Sequence, residues 1–189
     1  MAFSPQADDA LVVVDVQNDF LPGGSLAVPD GDQVVPVINR LAPRFRTVVT
    51  THDSHPPDHS SFAEHGGPWP PHCVEGTPGW DAHPDLDIKA HHQVFKGRER
   101  ELDGYTGWTP ELADFLARRG ISRVVVVGLA LDYCVQATAL DARAAGHEVV
   151  VLTDATRAVN VKPHDGDRAL DGLRAAGVRE DRAEGSFGR

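Results

Sequence analysis

The chain has 189 residues, a formal net charge of −10 and 41% hydrophobic residues, which is enough for one α/β-sized domain with a full core. The negative charge argues against binding to nucleic acid or to anionic membranes through bulk electrostatics. No apolar run approaches the roughly 18 residues of a membrane span, and residues 1–9 lack the basic and apolar regions of a signal peptide. We therefore expect a cytoplasmic protein, and its two cysteines are too few for a disulfide scaffold.

The first half of the chain predicts two buried strands, a helix and a long irregular segment. Residues 10–16 are a nearly continuous β-branched run, as expected for a strand covered on both faces of a parallel sheet. The apolar residues within 34–41 follow a helical period, with Pro36 early enough for the first turn. Residues 46–51 predict a second strand. The segment 52–90 has no clear period, and a loop of that length in a compact domain is usually functional.

The second half alternates strands and helices. Strands are predicted at 92–96, 123–128 and 147–152, with a last short one beginning at Val178. Helices are predicted at 109–120, 134–145 and 165–176. Since this alternation forms βαβ units, we predict one domain over residues 1–189, with frayed ends at 1–9 and 180–189. Its fold class is α/β, a Rossmann-like open parallel sheet of about six strands with helices on both faces.

Four potential metal ligands lie at the end of the second strand and in the loop that follows it. They are Asp53, His55, His59 and His72. A carboxylate and imidazoles together suit a borderline divalent ion such as zinc, iron or manganese. Prolines in this segment stiffen the loop before an ion binds. The alternative is a polar loop with solvated histidines, because the chain carries 10 of them.

A second group of polar residues lies where predicted parallel strands end. Asp15 ends the first strand, Lys96 the third, and Cys134 follows the fourth at the start of a helix. These ends meet at one edge of an open α/β sheet. The helix N-terminus and Lys96 would lower the pKa of the Cys134 thiol. Asp15 would accept the thiol proton and return it to a leaving group. The set predicts nucleophilic acyl transfer; the alternative for Cys134 is a small buried hydrophobe.

Other candidates receive no catalytic role. Cys73, beside His72, is interpreted as a packed loop cysteine rather than a second thiol or ligand. The histidines that are not candidate metal ligands are interpreted as solvated or structural. A dinucleotide-binding protein is excluded because no G-x-G-x-x-G follows the first strand.

Seven short motifs occur in order between about residues 10 and 160. They are Asp15-Val-Gln-Asn-Asp-Phe20, Gly23-Gly-Ser-Leu-Ala27, Asp53-Ser-His55, Trp69-Pro-Pro-His-Cys73, Phe95-Lys-Gly97, Gly128-Leu-Ala-Leu-Asp-Tyr-Cys134 and Thr153-Asp-Ala155. Each motif alone is weak evidence for a protein family, but the seven motifs in this order are highly specific for one. It resembles the nicotinamidase/pyrazinamidase branch of the isochorismatase-like cysteine hydrolases, whose metal-site motifs separate that branch from isochorismatases.

The resemblance implies roles for most of these residues. The implied catalytic triad is Asp15, Lys96 and Cys134. The implied metal ligands are Asp53, His55 and His72, with His59 as an additional ligand. A cis peptide bond is implied between Leu129 and Ala130, with the amides of Ala130 and Cys134 forming an oxyanion hole. The implied substrate-binding residues are Phe20, Trp69, Tyr105, Leu129 and Ala130, while Tyr133 stands where some relatives carry histidine.

The function implied by the resemblance is metal-dependent hydrolysis of nicotinamide to nicotinate and ammonia through a thioester acyl-enzyme, in NAD salvage. Pyrazinamide is implied as a further substrate. The alternative is a related amidohydrolase that acts on another small amide or carbamoyl compound. A binding or scaffold protein on this fold would lack the nucleophile or the base, and neither is missing. We expect one divalent metal ion and a small-molecule substrate, no nucleic acid or membrane partner, and leave a homo-oligomer open.

Overall fold

Six parallel strands form one sheet in the computed structural model, which describes residues 3–184. The strands are β1 (Asp9–Val14), β2 (Thr47–Asp53), β3 (His92–Lys96), β4 (Arg123–Leu129), β5 (Glu148–Arg157) and β6 (Arg179–Asp181). They lie in the order β3-β2-β1-β4-β5-β6, and every neighbouring pair is parallel. The order reverses between β1 and β4, which is where open α/β sheets place their ligands. The predicted α/β fold is confirmed.

Helices cover both faces of the sheet. They are α1 (Val34–Leu41), α2 (Pro110–Arg118), α3 (Gln136–Ala144) and α4 (Asp165–Ala175). The buried residues of α1 belong to one apolar cluster, and those of α2, α3 and α4 belong to a second. Leu11 and Val13 of β1 join the first cluster, whereas Val12 and Val14 join the second. This alternation explains why the central strand is apolar at nearly every position.

The segment between β2 and β3 contains only a short 3₁₀ turn, at Ala63–His65, in place of a crossover helix. Its backbone is held by isolated bridges that pair His55 with Val74 and Phe62 with Trp69. A third bridge pairs Ala82 with Gln17, in the loop after β1. The long irregular segment predicted from the sequence is therefore an ordered cover attached to the sheet edge.

The chain ends differ from the expected frayed tails where they are described. Phe3 is buried and stacks on Phe45, and its N–H donates to the Arg182 carbonyl at 2.9 Å. β6 pairs with β5 in parallel register. Residues 1–2 and 185–189, which the expectation also included, lie outside the described residues. Among residues 3–184, no helix has the length and apolar character needed to cross a bilayer.

Helix α2 begins with the N-cap threonine and the first-turn proline that the sequence predicts. Thr109 accepts a hydrogen bond from the Leu112 N–H at 3.2 Å, and Pro110 occupies the first helical position. We expect Thr109→Ala to lower the free energy of unfolding by about 1 kcal/mol, because one helix N–H loses its acceptor. Urea unfolding measures this, and Thr109→Ser, which keeps the hydroxyl, serves as the control. Equal stability of Thr109→Ala and the unmodified protein would contradict the capping role.

Candidate active site

Four polar side chains meet beyond the carboxyl ends of the strands. Asp15 follows β1, Asp53 ends β2, Lys96 ends β3, and Cys134 lies beyond β4. All four are buried, with 0% of Asp15, 4% of Asp53, 5% of Lys96 and 6% of Cys134 exposed. The strands converge here because they are parallel and the sheet order reverses beside β1. The residues predicted to form a catalytic triad are therefore neighbours in one site.

The Lys96 ammonium links the members of this group. Its Nζ donates to Asp53 Oδ1 at 2.9 Å, to the Gly104 carbonyl at 2.7 Å and to Cys134 Sγ at 3.4 Å. Burial alone would lower the pKa of Lys96, but the carboxylates of Asp15 and Asp53 hold it well above its ordinary value. Lys96 is therefore a fixed positive charge whose three N–H donors are all directed at acceptors.

The Asp15 carboxylate contacts both the lysine and the cysteine. Asp15 Oδ1 accepts the Thr51 hydroxyl at 2.6 Å. Its Oδ2 is buried and lies 2.8 Å from Lys96 Nζ. Asp15 is also a hydrogen-bond partner of the Cys134 thiol, so the carboxylate is placed to accept a proton from Cys134.

The protonation of Cys134 differs from the expectation. Burial raises the pKa of its thiol well above the ordinary value, and although Lys96 lowers that pKa, Asp15 and Asp53 raise it again. The expected helix start also shifts, because Leu131–Val135 form a π-helical turn and α3 begins at Gln136. The resting side chain is a thiol rather than a thiolate, so attack requires proton transfer to a base.

Three of the four predicted metal ligands converge beside this group. One ligand atom from each of Asp53, His55 and His72 can be chosen so that all lie within 4.8 Å of one another, and the three residues are buried. Asp53 Oδ2 lies 3.0 Å from His55 Nε2 and 3.5 Å from His72 Nε2. Burial would raise the pKa of Asp53, but the positive charge of Lys96 holds it well below the ordinary value. The carboxylate is thus charged and available as a ligand.

The hydrogen bonds of His55 and His72 orient both rings for metal binding. His55 Nδ1 lies 2.9 Å from the Gly97 carbonyl, and His72 Nδ1 lies 2.8 Å from the Pro70 carbonyl. Each Nδ1 therefore carries the proton and donates it, which leaves the Nε2 lone pairs facing Asp53. Gly97 permits the contact, because a Cβ there would lie 2.5 Å from His55 Cε1. Two imidazoles and one carboxylate fit a divalent ion such as zinc.

His59 lies beside these ligands but outside the converging group. Its ring centroid is 4.1 Å from that of His55. The Ser61 N–H donates to His59 Nδ1 at 3.2 Å, and His59 Nε2 donates to the Leu102 carbonyl at 3.1 Å. Both ring nitrogens are therefore engaged by the protein in this arrangement. The role of His59 as an additional ligand stays a prediction that this geometry does not support.

A small cavity of about 30 Å³ adjoins both the cysteine and the metal group. Among the residues that line it, Phe20, Trp69, Tyr105, Ala130 and Cys134 were expected from the sequence. A second cavity of about 20 Å³ lies against Asp53, His55 and His72 and shares Trp69 and Tyr105 with the first. The first cavity alone reaches the nucleophile and the candidate metal centre, because Asp53 and His72 line it together with Cys134. We call the two cavities together the recess.

Aromatic rings form the wall of the cavity. Trp69 Nε1 donates to the Tyr105 hydroxyl at 3.0 Å, and the Tyr133 ring packs against both, with centroid distances of 5.1 and 5.7 Å. Leu26, Tyr133 and Val159 also line the cavity although they were not predicted to bind substrate. Leu26 lies inside one of the quoted motifs, which could have identified it, but nothing in the sequence around Val159 points to this site.

The predicted oxyanion-hole segment is only partly exposed to the cavity. The Leu129–Ala130 peptide bond is cis, as the resemblance implied. Ala130 lines the cavity, but Leu129 is fully buried in β4, and its side chain is not part of the cavity wall. A contact between substrate and the Leu129 side chain therefore stays a prediction without support from this geometry.

Comparison with known proteins identifies relatives over nearly the whole chain. The isochorismatase domain profile matches residues 9–179. A nicotinamidase from Acinetobacter baylyi is 42% identical over 80% of this chain and 82% of its own length. A pyrazinamidase from Pyrococcus horikoshii, solved in complex with zinc, is 42% identical with a TM-score of 0.86, covering 93% of this chain and 99% of that one. PnC1 from L. infantum, solved with nicotinate, is 38% identical with a TM-score of 0.91, covering 97% of each chain.

The raised pKa of Cys134 predicts how its alkylation depends on pH. Because only the thiolate reacts, we expect the rate of alkylation by iodoacetamide to keep rising from about pH 7 to about pH 9.5 without a plateau. Mass spectrometry of the modified peptide measures the rate. Cys134→Ala gives the background from Cys73, whose thiol pKa burial also raises. A plateau below about pH 8 would show a stable thiolate and contradict the assignment.

Proposed function

The chain belongs to the isochorismatase family, and on that basis we propose that it hydrolyses nicotinamide to nicotinate and ammonia. The observation that carries this proposal is the recess that brings Cys134 and the Asp53, His55 and His72 group together behind aromatic walls. We propose that a flat pyridine ring lies against these walls with its carboxamide directed at the Cys134 thiol. The relatives support this substrate, because they include nicotinamidases and a structure that holds nicotinate.

The cofactor is one divalent metal ion, consistent with the zinc in the related pyrazinamidase. We propose that Asp53, His55 and His72 hold it, because their free lone pairs face one another and the carboxylate is charged. When bound, the ion supplies a Lewis-acid site that can take a ring nitrogen as a ligand. Pyrazinamide carries a nitrogen at the matching ring position, and we propose it as a second substrate.

The first half of the proposed reaction forms a thioester. Cys134 Sγ attacks the carboxamide carbon while its proton moves to Asp15 Oδ2, and the amides of Ala130 and Cys134 stabilise the oxyanion. Asp15 then returns that proton to the departing nitrogen, the C–N bond breaks, and ammonia leaves. The raised pKa of the thiol makes the base necessary, and Asp15, a hydrogen-bond partner of that thiol, is placed for the role.

The second half hydrolyses the thioester. Asp15 takes a proton from a water molecule, whose oxygen attacks the thioester carbon. The C–S bond then breaks and Asp15 returns its proton to Cys134 Sγ. The nicotinic acid formed loses its remaining proton to solvent and leaves as nicotinate. Throughout both halves, Lys96 stays charged and stabilises the carboxylate of Asp15.

Several finer statements remain proposals. We propose that residues 1–189 form a single isochorismatase-like domain and that the enzyme works in the cytoplasm in NAD salvage, and we leave a homo-oligomer open. The chain covers 82% of the length of the Acinetobacter baylyi relative, and its domain match spans residues 9–179. Gel filtration and light scattering of the purified protein test the oligomer.

Removing the nucleophile tests the reaction. We expect Cys134→Ala to lower the rate of ammonia release from nicotinamide by at least roughly a thousand-fold, because no thioester can form. A coupled ammonia assay measures the rate with nicotinamide, pyrazinamide and a non-aromatic amide. Cys73→Ala is the matched control, since its buried side chain makes no contact with the recess, and it should stay active. Undiminished activity of Cys134→Ala would refute the proposal, and preference for the non-aromatic amide would refute the substrate.

Metal affinity tests the ligand assignment. We expect His72→Ala to weaken zinc binding by more than about a hundred-fold, because a direct ligand is lost, and His59→Ala to weaken it by less than about ten-fold. Competition with a chromophoric chelator measures both affinities. Prolonged dialysis against a chelator should abolish activity in the unmodified protein, and added zinc should restore it. An equal loss in both variants would make His59 a direct ligand after all.

A further inference from the structure

The chain leaves the sheet abruptly after β1. The β1–β2 ladder ends where Val14 pairs with Thr51, and the Asp15 N–H still donates to the Thr51 carbonyl at 3.1 Å. Asp15 then adopts a φ of 47°, which turns the backbone away from β2. We call residues 15–20 the β1 hook. The backbone of Asp53, at the end of β2, therefore has no strand beside it on this edge.

The side chain of Gln17 takes the place of the missing strand. The Asp53 N–H donates to Gln17 Oε1 at 2.7 Å, and Gln17 Nε2 donates to the Asp53 carbonyl at 2.8 Å. One side-chain amide thus satisfies both backbone groups of Asp53, as a neighbouring peptide would in a ladder. Gln17 Nε2 also donates to the Trp80 carbonyl at 2.8 Å, and the side chain is fully buried. The backbone position of Asp53 is therefore fixed by a residue of the hook.

Asp19 anchors the loop that carries the two histidines. The Cys73 N–H, next to His72 along the chain, donates to Asp19 Oδ2 at 2.7 Å. The Cys73 carbonyl accepts the His55 N–H at 3.0 Å. Gly79 allows the carboxylate to approach, because a Cβ there would lie 2.1 Å from Asp19 Oδ2. A charged acceptor makes this a strong hydrogen bond, and it connects the backbone of both histidines to the same hook.

We propose that Gln17 and Asp19 are positioning residues of the metal centre, which hold the backbones of its three ligands in register with the catalytic base. The inference rests on the proposed ligand set. Asp15, Gln17 and Asp19 alternate along the β1 hook, which also carries the candidate base Asp15. Gln17 fixes the position of Asp53 relative to that base. Asp19 fixes the positions of His55 and His72 relative to it. Neither residue lines the recess. Besides the contacts above, Asp19 Oδ1 accepts the Ser25 N–H at 3.2 Å. Residues that hold the metal ligands without binding the metal themselves affect metal affinity, because they set the positions of the ligand atoms.

The test measures metal binding without substrate. We expect Gln17→Leu and Asp19→Ala to weaken zinc affinity by roughly 10–100-fold, as the loss of outer-shell partners does in other metal sites. Asp19→Asn keeps an acceptor for the Cys73 N–H and should recover most of the affinity lost in Asp19→Ala. Asn18→Ala is the matched control from the same hook, because its side chain binds only the exposed Pro78 carbonyl. Chelator competition gives the affinities, and circular dichroism checks the fold.

The absorption spectrum of the cobalt-loaded protein adds a readout of ligand geometry. We expect the visible bands to shift in Gln17→Leu and Asp19→Ala but not in Asn18→Ala. If a removal variant does not fold, Gln17→Glu and Asp19→Asn replace it; Gln17→Glu loses the donor to the Asp53 carbonyl and should bind zinc more weakly than Asp19→Asn.

Two results would overturn the inference, and they are distinguishable. Unchanged affinity and unchanged cobalt bands in folded Gln17→Leu and Asp19→Ala, with the unmodified protein active on nicotinamide, would remove the positioning role and leave the function intact. Unchanged zinc affinity in His72→Ala would show instead that the ligand set is wrong, and the inference would fail with it.

Discussion

The site depends on one buried ammonium held between two buried carboxylates. Removing an isolated charge from water costs several kcal/mol even after relaxation, so Lys96 is tolerated only because Asp15 and Asp53 surround it. Lys96 in turn holds the pKa of Asp53 well below its ordinary value. At their formal charges, two carboxylates and one ammonium sum to one negative charge, which a divalent cation would offset. The candidate base and the candidate metal ligand therefore share one ammonium.

The topology explains why these groups meet. In a parallel sheet every strand delivers its carboxyl end to the same edge, and the reversal of order beside β1 opens a crevice there. The missing helix between β2 and β3 matters equally, because the irregular segment in its place is free to fold over that edge. It brings His55, His72 and Trp69 into the cavity walls with Phe20, Tyr105 and Cys134, which lie beyond β1, β3 and β4. The burial that results raises the pKa of the Cys134 thiol.

Local patterns in the sequence predicted most of the fold. The apolar run of β1, the cap at Thr109 and the stop at Gly120 depend only on neighbours a few residues away, so those elements fall within a few residues of their predicted bounds. The short last strand predicted to begin at Val178 corresponds to β6. The N-terminal end is an exception, because the packing of Phe3 forms by contact with distant parts of the chain and its polar surroundings carry no periodic signal.

The site shows the same division between sequence and tertiary structure. By itself, the sequence determined the residue types and their order, and hence the candidate nucleophile, base, lysine and metal ligands, because each lies in a motif or at a strand end. Only the tertiary structure decided the protonation of Cys134, the engagement of both His59 nitrogens and the support that Gln17 gives to Asp53. Burial, charge proximity and hydrogen-bond competition arise between residues far apart in the chain. No local pattern encodes them, so they exist only once the fold has brought those residues together.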